Sequence, residues 1–368
     1  STQGYSSAAS DVYKRQLINY RKETSERSDA TNWAKKMLIE KTGLFFDAIE
    51  GCNENNNNVV THLFERARVD FVPGESLETD VLSEIILLET PEVLQRKINF
   101  ANTFNCPLTY VLYCNEKEAV WVYTISDLIT CKFIVSYNTY HAFSDWIYTI
   151  KGWRSTKPYR EREDLPYFDK ALRRAGCAWP TNIDCFVSNQ YSQPIAILEF
   201  QNANNTEVAM HCNNDFFLGK HTRINQHGYI QYDNDVRRWQ SQEILRVQSG
   251  LRLFIITWSQ NSTDFILKEV DVISFPNLPF SKDWTKHGEY QRLMHEVANT
   301  RDQNSARIIA NQFSTYKLSY AAPIMSQVYK YPPLSTKDKS FPYIYYKYKN
   351  LVEGLADTLP DLFLKLID

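Results

Sequence analysis

Residues 179–202, WPTNIDCFVSNQYSQPIAILEFQN, carry the clearest structural signal in this chain. Ile183 to Val187 is a short β-prone run, and Ile195 to Phe200 is an apolar run of the length of a buried strand. Between them, Ser188 to Pro194 is rich in Ser, Asn, Gln and Pro, a composition typical of a turn. The segment therefore predicts two short strands joined by a polar turn.

Acidic residues stand on these two strands where a metal ion could be held. Glu199 and Gln201 are two positions apart, so their side chains project from the same face of the second strand. If the strands pair through the turn, Asp184 can lie beside them. Two carboxylates at the end of a buried sheet are costly without a cation or a proton. Because carboxylate oxygens suit hard divalent ions, the pattern predicts a metal site.

At these residues the chain resembles the PD-(D/E)XK nuclease superfamily, which has the restriction-endonuclease-like fold. The family pattern is an acid on one strand, followed on the next by a second acid, any residue and usually Lys. Asp184 and Glu199 match the two acids, and Gln201 takes the Lys position, as it does in some members. The flanking sequence predicts a helix, two strands, a helix and a strand in that order, with the outer elements at 167–175, 235–247 and 251–259.

The resemblance covers roughly residues 160–275 and implies an α/β fold whose core is a mixed central sheet flanked by helices. We predict four regions, listed in chain order: an adapter-like non-native tail at 1–16, an N-terminal α/β domain at 17–150, the nuclease core at 151–275, and a mainly helical, Tyr-rich region at 276–368. Residues 1–16 resemble translated adapter sequence, so we expect them to have no part in the function.

The resemblance also implies the chemistry. Mg²⁺ or Mn²⁺ held by Asp184, Glu199 and the backbone carbonyl of Phe200 would activate water and neutralise charge on a scissile phosphate. Asp169, on the preceding helix, is the expected further acid. Gln201 can orient the water but cannot supply the positive charge of Lys. The implied reaction is hydrolysis of DNA phosphodiester bonds in restriction, defence or repair, and many members of the fold pair two active sites in a homodimer.

Basic residues near the motif could bind the DNA backbone. Residues 151–174 contain eight basic side chains against four acidic ones, which suits a phosphate track. An ordinary charged linker and helix face explains the same stripe equally well. The candidate cations for the missing Lys and for substrate binding are Arg173, Arg174, Lys220, Arg223, Arg237 and Arg238.

Composition bounds the remaining possibilities. The chain has 368 residues and a formal net charge of −2, so any nucleic-acid contact must come from a local basic surface. The chain contains no run of about 18 apolar residues, so no membrane span is predicted. The seven cysteines form no CxxC pair, which favours a reducing, cytoplasmic setting. No Gly-rich phosphate loop or nucleophile elbow is present, which disfavours NTP hydrolysis and α/β-hydrolase chemistry.

The regions on either side of the core are less sharply patterned. Asp29 to Glu50 predicts an amphipathic helix with a break near Gly43, whereas Val81 to Leu88 suits either a strand or a helix. A helix at 91–103 and strands at 107–113, 119–125 and 132–137 are expected next. Helices are expected at 283–310 and 351–366. The Tyr- and Lys-rich segment 329–350 suits a base-stacking surface or, more simply, a peripheral layer.

The sequence contains a possible internal repeat that relates the two halves of the chain. Ile85 to Thr90, IILLET, resembles the IAILEFQ run, and both are followed by a predicted helix and two apolar strands. If the first half is a degenerate copy of the core, Asp70 or Asp80 would lie opposite Glu89. Two unrelated α/β units could produce the same pattern.

The sequence also leaves open one possible zinc site and two alternative functions. A group of metal-type ligands between the motif and the next helix matches no known zinc spacing, and we interpret it as a loop beside the active site. The group consists of His211, Cys212, Asp215, His221 and His227. Gln201 is compatible with a catalytically inactive nucleic-acid-binding module. The wealth of Trp and Tyr is compatible with a carbohydrate or small-ligand protein in which the carboxylates act as acid and base.

Overall fold

The computed structural model describes residues 20–23, 32–55, 57–70, 78–152, 154–155, 165–203, 208, 221–224, 230–233, 236–259, 261–274, 327–330 and 345–368. The described helices are α1 (Trp33–Lys41), α2 (Glu78–Glu89), α3 (Pro91–Asn102), α4 (Tyr140–Lys151), α5 (Tyr167–Arg174), α6 (Val236–Ser249) and α7 (Leu359–Ile367). The described strands are β1 (Tyr20–Arg21), β2 (Phe45–Glu54), β3 (Val60–Val69), β4 (Leu108–Cys114), β5 (Ala119–Asp127), β6 (Thr130–Tyr137), β7 (Thr181–Ser188), β8 (Pro194–Asn202), β9 (His221–Ile224), β10 (Ile230–Asp233), β11 (Arg252–Trp258), β12 (Asp264–Ser274), β13 (Gln327–Lys330) and β14 (Tyr345–Leu355).

One mixed sheet of 12 strands runs through both halves of the chain, which is an α/β arrangement with helices on both faces. Its strand order is β13-β14-β12-β11-β8-β7-β2-β3-β4-β5-β6, and β1 pairs with one end of β3. The parallel pairs are β3 with β4 and β8 with β11, and helices connect the strands of each pair. The remaining pairs are antiparallel, and a separate hairpin is formed by β9 and β10.

Three hydrophobic clusters hold the helices on this sheet. One face carries α2, α3 and α6 over a cluster that spans both halves. On the other face, α1 and α7 cover β7, β8, β11 and β12. The same face carries α4 and α5 over β3, β4 and β5. The resulting three layers, helix, sheet and helix, bury both sides of the central strands, which explains their nearly continuous apolar sequences.

The predicted elements around the motif are present. The helix expected at 167–175 is α5, the two motif strands are β7 and β8, and the following helix and strand are α6 and β11. Residues 91–102 form the expected helix, and the three strands expected after it are β4, β5 and β6.

The prediction for Asp29 to Glu50 is wrong beyond Gly43. Gly43 has a φ of +68°, a left-handed conformation that ends helices, and strand β2 begins at Phe45. Val81 to Leu88 belongs to helix α2, whose buried positions recur at helical spacing. The correspondence of IILLET with the IAILEFQ strand is therefore wrong, because Glu89 ends a helix and not a strand.

The C-terminal helix is shorter than predicted. Residues 351–355 belong to β14, which adds to the sheet beside β12, and the terminal helix begins only at Leu359. The strands β13 and β14 pair with each other at the edge of the sheet. The helix expected at 283–310 lies outside the described residues.

Candidate functional site

Asp184 and Glu199 lie side by side on β7 and β8. The antiparallel register pairs Cys185 with Leu198, so the next position along places Asp184 opposite Glu199 on the same face of the sheet. The backbone N–H of Phe200 donates to Asp184 Oδ2 at 3.4 Å, across the two strands. Local strand pairing is thus sufficient to bring the two predicted acids together.

Arg238, in the first turn of α6, bridges the two carboxylates. Its Nη2 atom is 3.0 Å from Asp184 Oδ2 and also contacts Glu199 Oε1. The Glu199 side chain is only 2% exposed, whereas those of Asp184 and Arg238 are 22% and 35% exposed. A carboxylate as buried as Glu199 needs a positive partner, and the guanidinium supplies it from the open side of the site.

Neutral amides hold the two carboxylates in place. Asn182 Nδ2 donates to Asp184 Oδ1 at 3.1 Å, and Gln242 Nε2 donates to Glu199 Oε2 at 3.2 Å. Gln242 lies one helical turn after Arg238 and is fully buried. Its Oε1 atom is buried and has no hydrogen-bond partner among the described residues. The site therefore contains a third oxygen acceptor close to Glu199.

Gln201 lies on the expected face but is engaged inside the sheet. It is buried, and its Oε1 accepts a hydrogen bond from Thr257 Oγ1 of β11 at 3.2 Å. The parallel pairing of β8 with β11 places Gln201 directly beside Thr257. This contact ties the side-chain oxygen to the neighbouring strand of the sheet.

Asp184 and Arg238 line a cleft of about 740 Å³ that extends across β7 into the first half of the chain. Its lining includes five basic and six acidic side chains, so the described walls are charge-balanced and not electropositive. These residues are Lys22, Arg66, Lys97, Arg173 and Arg238, and Asp47, Glu50, Glu65, Glu89, Asp169 and Asp184. Any net positive charge toward a polyanion must come from a bound cation or from neighbouring segments.

Asp169 lines this cleft but is bound to the first half. Both of its oxygens accept from the Arg66 guanidinium, at 2.7 and 3.1 Å. Arg66 also lies 3.3 Å from Glu50 Oε2. Burial alone would lower the pKa of Arg66, but the charges of Glu50 and Asp169 raise it, so the arginine stays ionised. Asp169 is thus the counter-ion of Arg66 and joins a different acidic group from Asp184 and Glu199.

A second acidic group, formed by Glu65 and Glu89, was not predicted from the sequence, which placed Asp70 or Asp80 opposite Glu89. Glu65 on β3 and Glu89 at the end of α2 both contact Lys22 and Lys97. Tyr110 donates to Glu89 at 3.0 Å. Burial alone would raise the pKa of Glu89, but Lys97 and Lys22 lower it to about 2. Because these residues come from four separate parts of the chain, only the tertiary structure could identify the cluster.

The remaining candidate residues are only partly described. Arg173 and Arg174 are exposed at the end of α5, and Arg173 lines the cleft. Lys151, part of the predicted phosphate track, is instead buried and donates to the Trp179 carbonyl oxygen at 3.0 Å. Outside the described part of the chain lie Lys220, the side chains of Arg223, Arg237 and His221, and the residues His211, Cys212, Asp215 and His227.

Within the described ranges, no three His, Cys, Asp or Glu side chains form a group that could hold a metal ion. Likewise, no described helix has the length and apolar character needed to cross a membrane. Comparisons with protein-family models, with curated proteins and with solved structures gave no match.

Proposed function

We propose that this protein is a divalent-metal-dependent nuclease that hydrolyses phosphodiester bonds in DNA. The observation that carries the proposal is the convergence of Asp184 and Glu199, from paired strands, on the Arg238 guanidinium, which lines a cleft together with Asp184. The order of elements around them agrees with the resemblance, which also implies a role in restriction, defence or repair.

The oxygen ligands at this site fit Mg²⁺ or Mn²⁺, although only two of them are carboxylates. Mg²⁺ commonly uses only one or two protein carboxylates and completes its shell with water and substrate phosphate. Asp184, Glu199 and the backbone carbonyl of Phe200 would hold the ion, and the buried Oε1 of Gln242 is a further oxygen acceptor nearby. When bound, the ion would lower the pKa of an attacking water and neutralise charge on the phosphate.

Arg238 takes the electrostatic role that Gln201 cannot fill. In the structure the guanidinium balances the two carboxylates. A divalent cation would compete for the same oxygens and release Arg238 toward the open side of the cleft. A planar guanidinium can then donate two hydrogen bonds to a phosphate, which makes it a strong phosphate ligand. Gln201, held by Thr257, supports the strand that carries Glu199.

Substrate binding would also draw on the exposed end of α5. Arg173 and Arg174 lie in its last turn, and Arg173 borders the same cleft as Asp184. Long basic side chains at this place can contact phosphates on either side of a scissile bond without reading the bases. The balanced charge of the cleft predicts weak DNA binding without a divalent cation and stronger binding with one.

The test is cleavage of plasmid and linear DNA by the full chain in Mg²⁺ or Mn²⁺, with a chelator control. Asp184→Asn and Glu199→Gln should each reduce cleavage at least about 100-fold, because each removes a charged ligand of the ion. The matched controls Glu40→Gln and Asp361→Asn change exposed acids on α1 and α7 and should cleave normally. Cleavage that persists in chelator or in both site variants would refute the proposal, and cleavage of RNA alone would refute the choice of DNA.

The second candidate is a nucleic-acid-binding module without catalysis. It is favoured by one observation, the engagement of Gln201 with Thr257 in place of a Lys aimed at the phosphate. Under this alternative, Arg238 stays on the carboxylates and the protein binds DNA equally well in chelator and in Mg²⁺. A filter-binding or anisotropy titration in the two conditions, alongside the cleavage assay, distinguishes the candidates.

A further inference from the structure

The two halves of the chain repeat the same sequence of elements. Each consists of a helix, an antiparallel hairpin, a helical connection, a strand parallel to the second hairpin strand, two further antiparallel strands and a closing helix. In the first half these are α1, β2, β3, α2 with α3, β4, β5, β6 and α4. In the second half they are α5, β7, β8, α6, β11, β12, β14 and α7. Hairpin β9–β10 and strand β13 are additions to the second half.

The hairpins β2–β3 and β7–β8 have the same residue spacing. Glu50 precedes Glu65 by 15 residues, the spacing that also separates Asp184 from Glu199. The strand registers match as well, since Gly51 pairs with Phe64 where Cys185 pairs with Leu198. Glu50 and Glu65 are therefore the counterparts of Asp184 and Glu199.

The halves meet as two subunits of a symmetric dimer would. The central strands β2 and β7 are antiparallel, and Ile49 pairs with its own counterpart Ile183. Self-pairing of equivalent residues marks an isologous contact about a two-fold axis. The helices that begin the halves are also exchanged. Leu38 of α1 packs on the strands of the second half, and Leu172 of α5 packs on those of the first.

The two acid pairs differ in the cation that they contact. In the second half the helix supplies the neutral Gln242 to Glu199, and the cation is Arg238, which is 35% exposed and lines the cleft. In the first half the corresponding helix α3 supplies Lys97 to Glu65, with an N–O distance of 3.0 Å and a Lys97 side chain only 8% exposed. Lys22 contacts Glu65 from a separate segment.

The lysines of the first half form a closed network. Lys22 and Lys97 each contact both Glu65 and Glu89, so two ammonium groups alternate with two carboxylates. Removing one member of such a buried network is strongly unfavourable, because it leaves an uncompensated charge. A divalent ion at Glu50 and Glu65 would have to displace Lys97, Lys22 and Arg66, whose side chains are 8%, 25% and 9% exposed. In the second half it would have to displace one arginine that is 35% exposed.

We infer that the chain is an internal pseudo-dimer with one metal-binding site, at Asp184 and Glu199, and a counterpart at Glu50 and Glu65 that Lys22 and Lys97 close to metal. This inference rests on the proposed function for its consequence. A two-fold protein matches the two-fold relation between the strands of a duplex, and two working sites would address both strands. With one site closed, each encounter with double-stranded DNA cuts one strand, and the product is a nick.

Metal stoichiometry tests the inference independently of cleavage. Mn²⁺ is titrated into the full chain and the free ion is followed by electron paramagnetic resonance. We expect one Mn²⁺ per chain, lost in Asp184→Asn and retained in Glu65→Gln. Two ions per chain in the wild type, or loss in Glu65→Gln with retention in Asp184→Asn, would overturn the inference and leave the proposed function standing. No bound Mn²⁺ in the wild type would refute both.

Supercoiled plasmid tests the consequence. Nicked circles should accumulate first, and linear DNA should appear later, from independent second cuts. Linear DNA that forms as the first product would show paired cutting and overturn the inference while supporting the nuclease. Absence of any cut, with Mn²⁺ bound, would contradict the proposed function and the strand-cutting consequence with it.

Discussion

Replacing Arg238 by Ala should make the stability of this protein depend on divalent metal. The substitution removes the guanidinium that bridges Asp184 and Glu199, and Glu199 is only 2% exposed. Breaking a fully buried ion pair costs about 3–5 kcal/mol, whereas an exposed pair is worth at most about 1 kcal/mol. Because Arg238 is 35% exposed and water can partly replace it, we expect a loss of about 2 kcal/mol in chelator.

The same substitution should strengthen metal binding. If the ion displaces Arg238, the variant loses stability only in its metal-free state. The free energy of metal binding is then more favourable by about the same 2 kcal/mol. At about 1.4 kcal/mol per tenfold change, this corresponds to roughly 30-fold tighter Mg²⁺ binding. At a free concentration of 100 times its dissociation constant, Mg²⁺ then stabilises the folded state by about 2.7 kcal/mol.

The assay is urea unfolding followed by tryptophan fluorescence, in chelator and across a series of Mg²⁺ concentrations. Arg238→Lys is the matched control, since it keeps a positive charge at the site and should lose less than half as much stability. Equal stability of wild type and Arg238→Ala in chelator would refute the bridging role. Weaker Mg²⁺ binding by Arg238→Ala would refute the competition between the arginine and the metal.

Three further predictions concern the rest of the fold. Phe168→Ala should destabilise the protein by about 3–5 kcal/mol in urea unfolding, because this fully buried ring stacks on Tyr113 of the first half at a centroid distance of 4.0 Å. The control Tyr167→Ala changes an exposed neighbour and should cost under about 1 kcal/mol. Ionised Glu89 has a pKa lowered to about 2 by two lysines that outweigh its burial, so its stabilisation is complete above its unfolded pKa of 4.5 and is lost as the pH falls toward 2. Unfolding measured between pH 6 and about 2.5 should therefore show a steep acid limb that Glu89→Gln flattens, and an unchanged limb would contradict the network. Burial raises the pKa of the Cys106 thiol to about 11 and that of Cys131 to about 12, so mass spectrometry should find both unmodified by iodoacetamide at pH 8 until urea is added, and rapid native labelling would contradict their burial.

The part of the fold that could be predicted is the part with strong local patterns. The hairpin β7–β8, helix α6 and strand β11 follow from short apolar runs, a turn composition and a helical period within one continuous segment. The same reasoning failed at Phe45 to Glu50, which continues the apolar pattern of α1 but lies beyond Gly43 in a strand. A single glycine in the left-handed conformation outweighed the periodicity there.

The candidate site was predictable only where its residues are joined by strand pairing. Asp184 and Glu199 meet because the turn between them fixes the register of two adjacent strands. Arg238 was one of six candidate cations in sequence, and the packing of α6 across the sheet brought it to the two acids. Asp169, expected beside these acids, instead binds Arg66, because α5 packs against the first half of the chain.

The sequence by itself determined the α/β class, the D…ExQ hairpin and its helical flanks, since these depend on contacts between neighbours in the chain. The tertiary structure alone decided that both halves share one sheet, that their first helices are exchanged, and that Lys22 and Lys97 form ion pairs with Glu65 and Glu89. Those contacts join residues far apart in the chain. They form when whole faces of helices and of the sheet pack together, and no short sequence pattern predicts that packing.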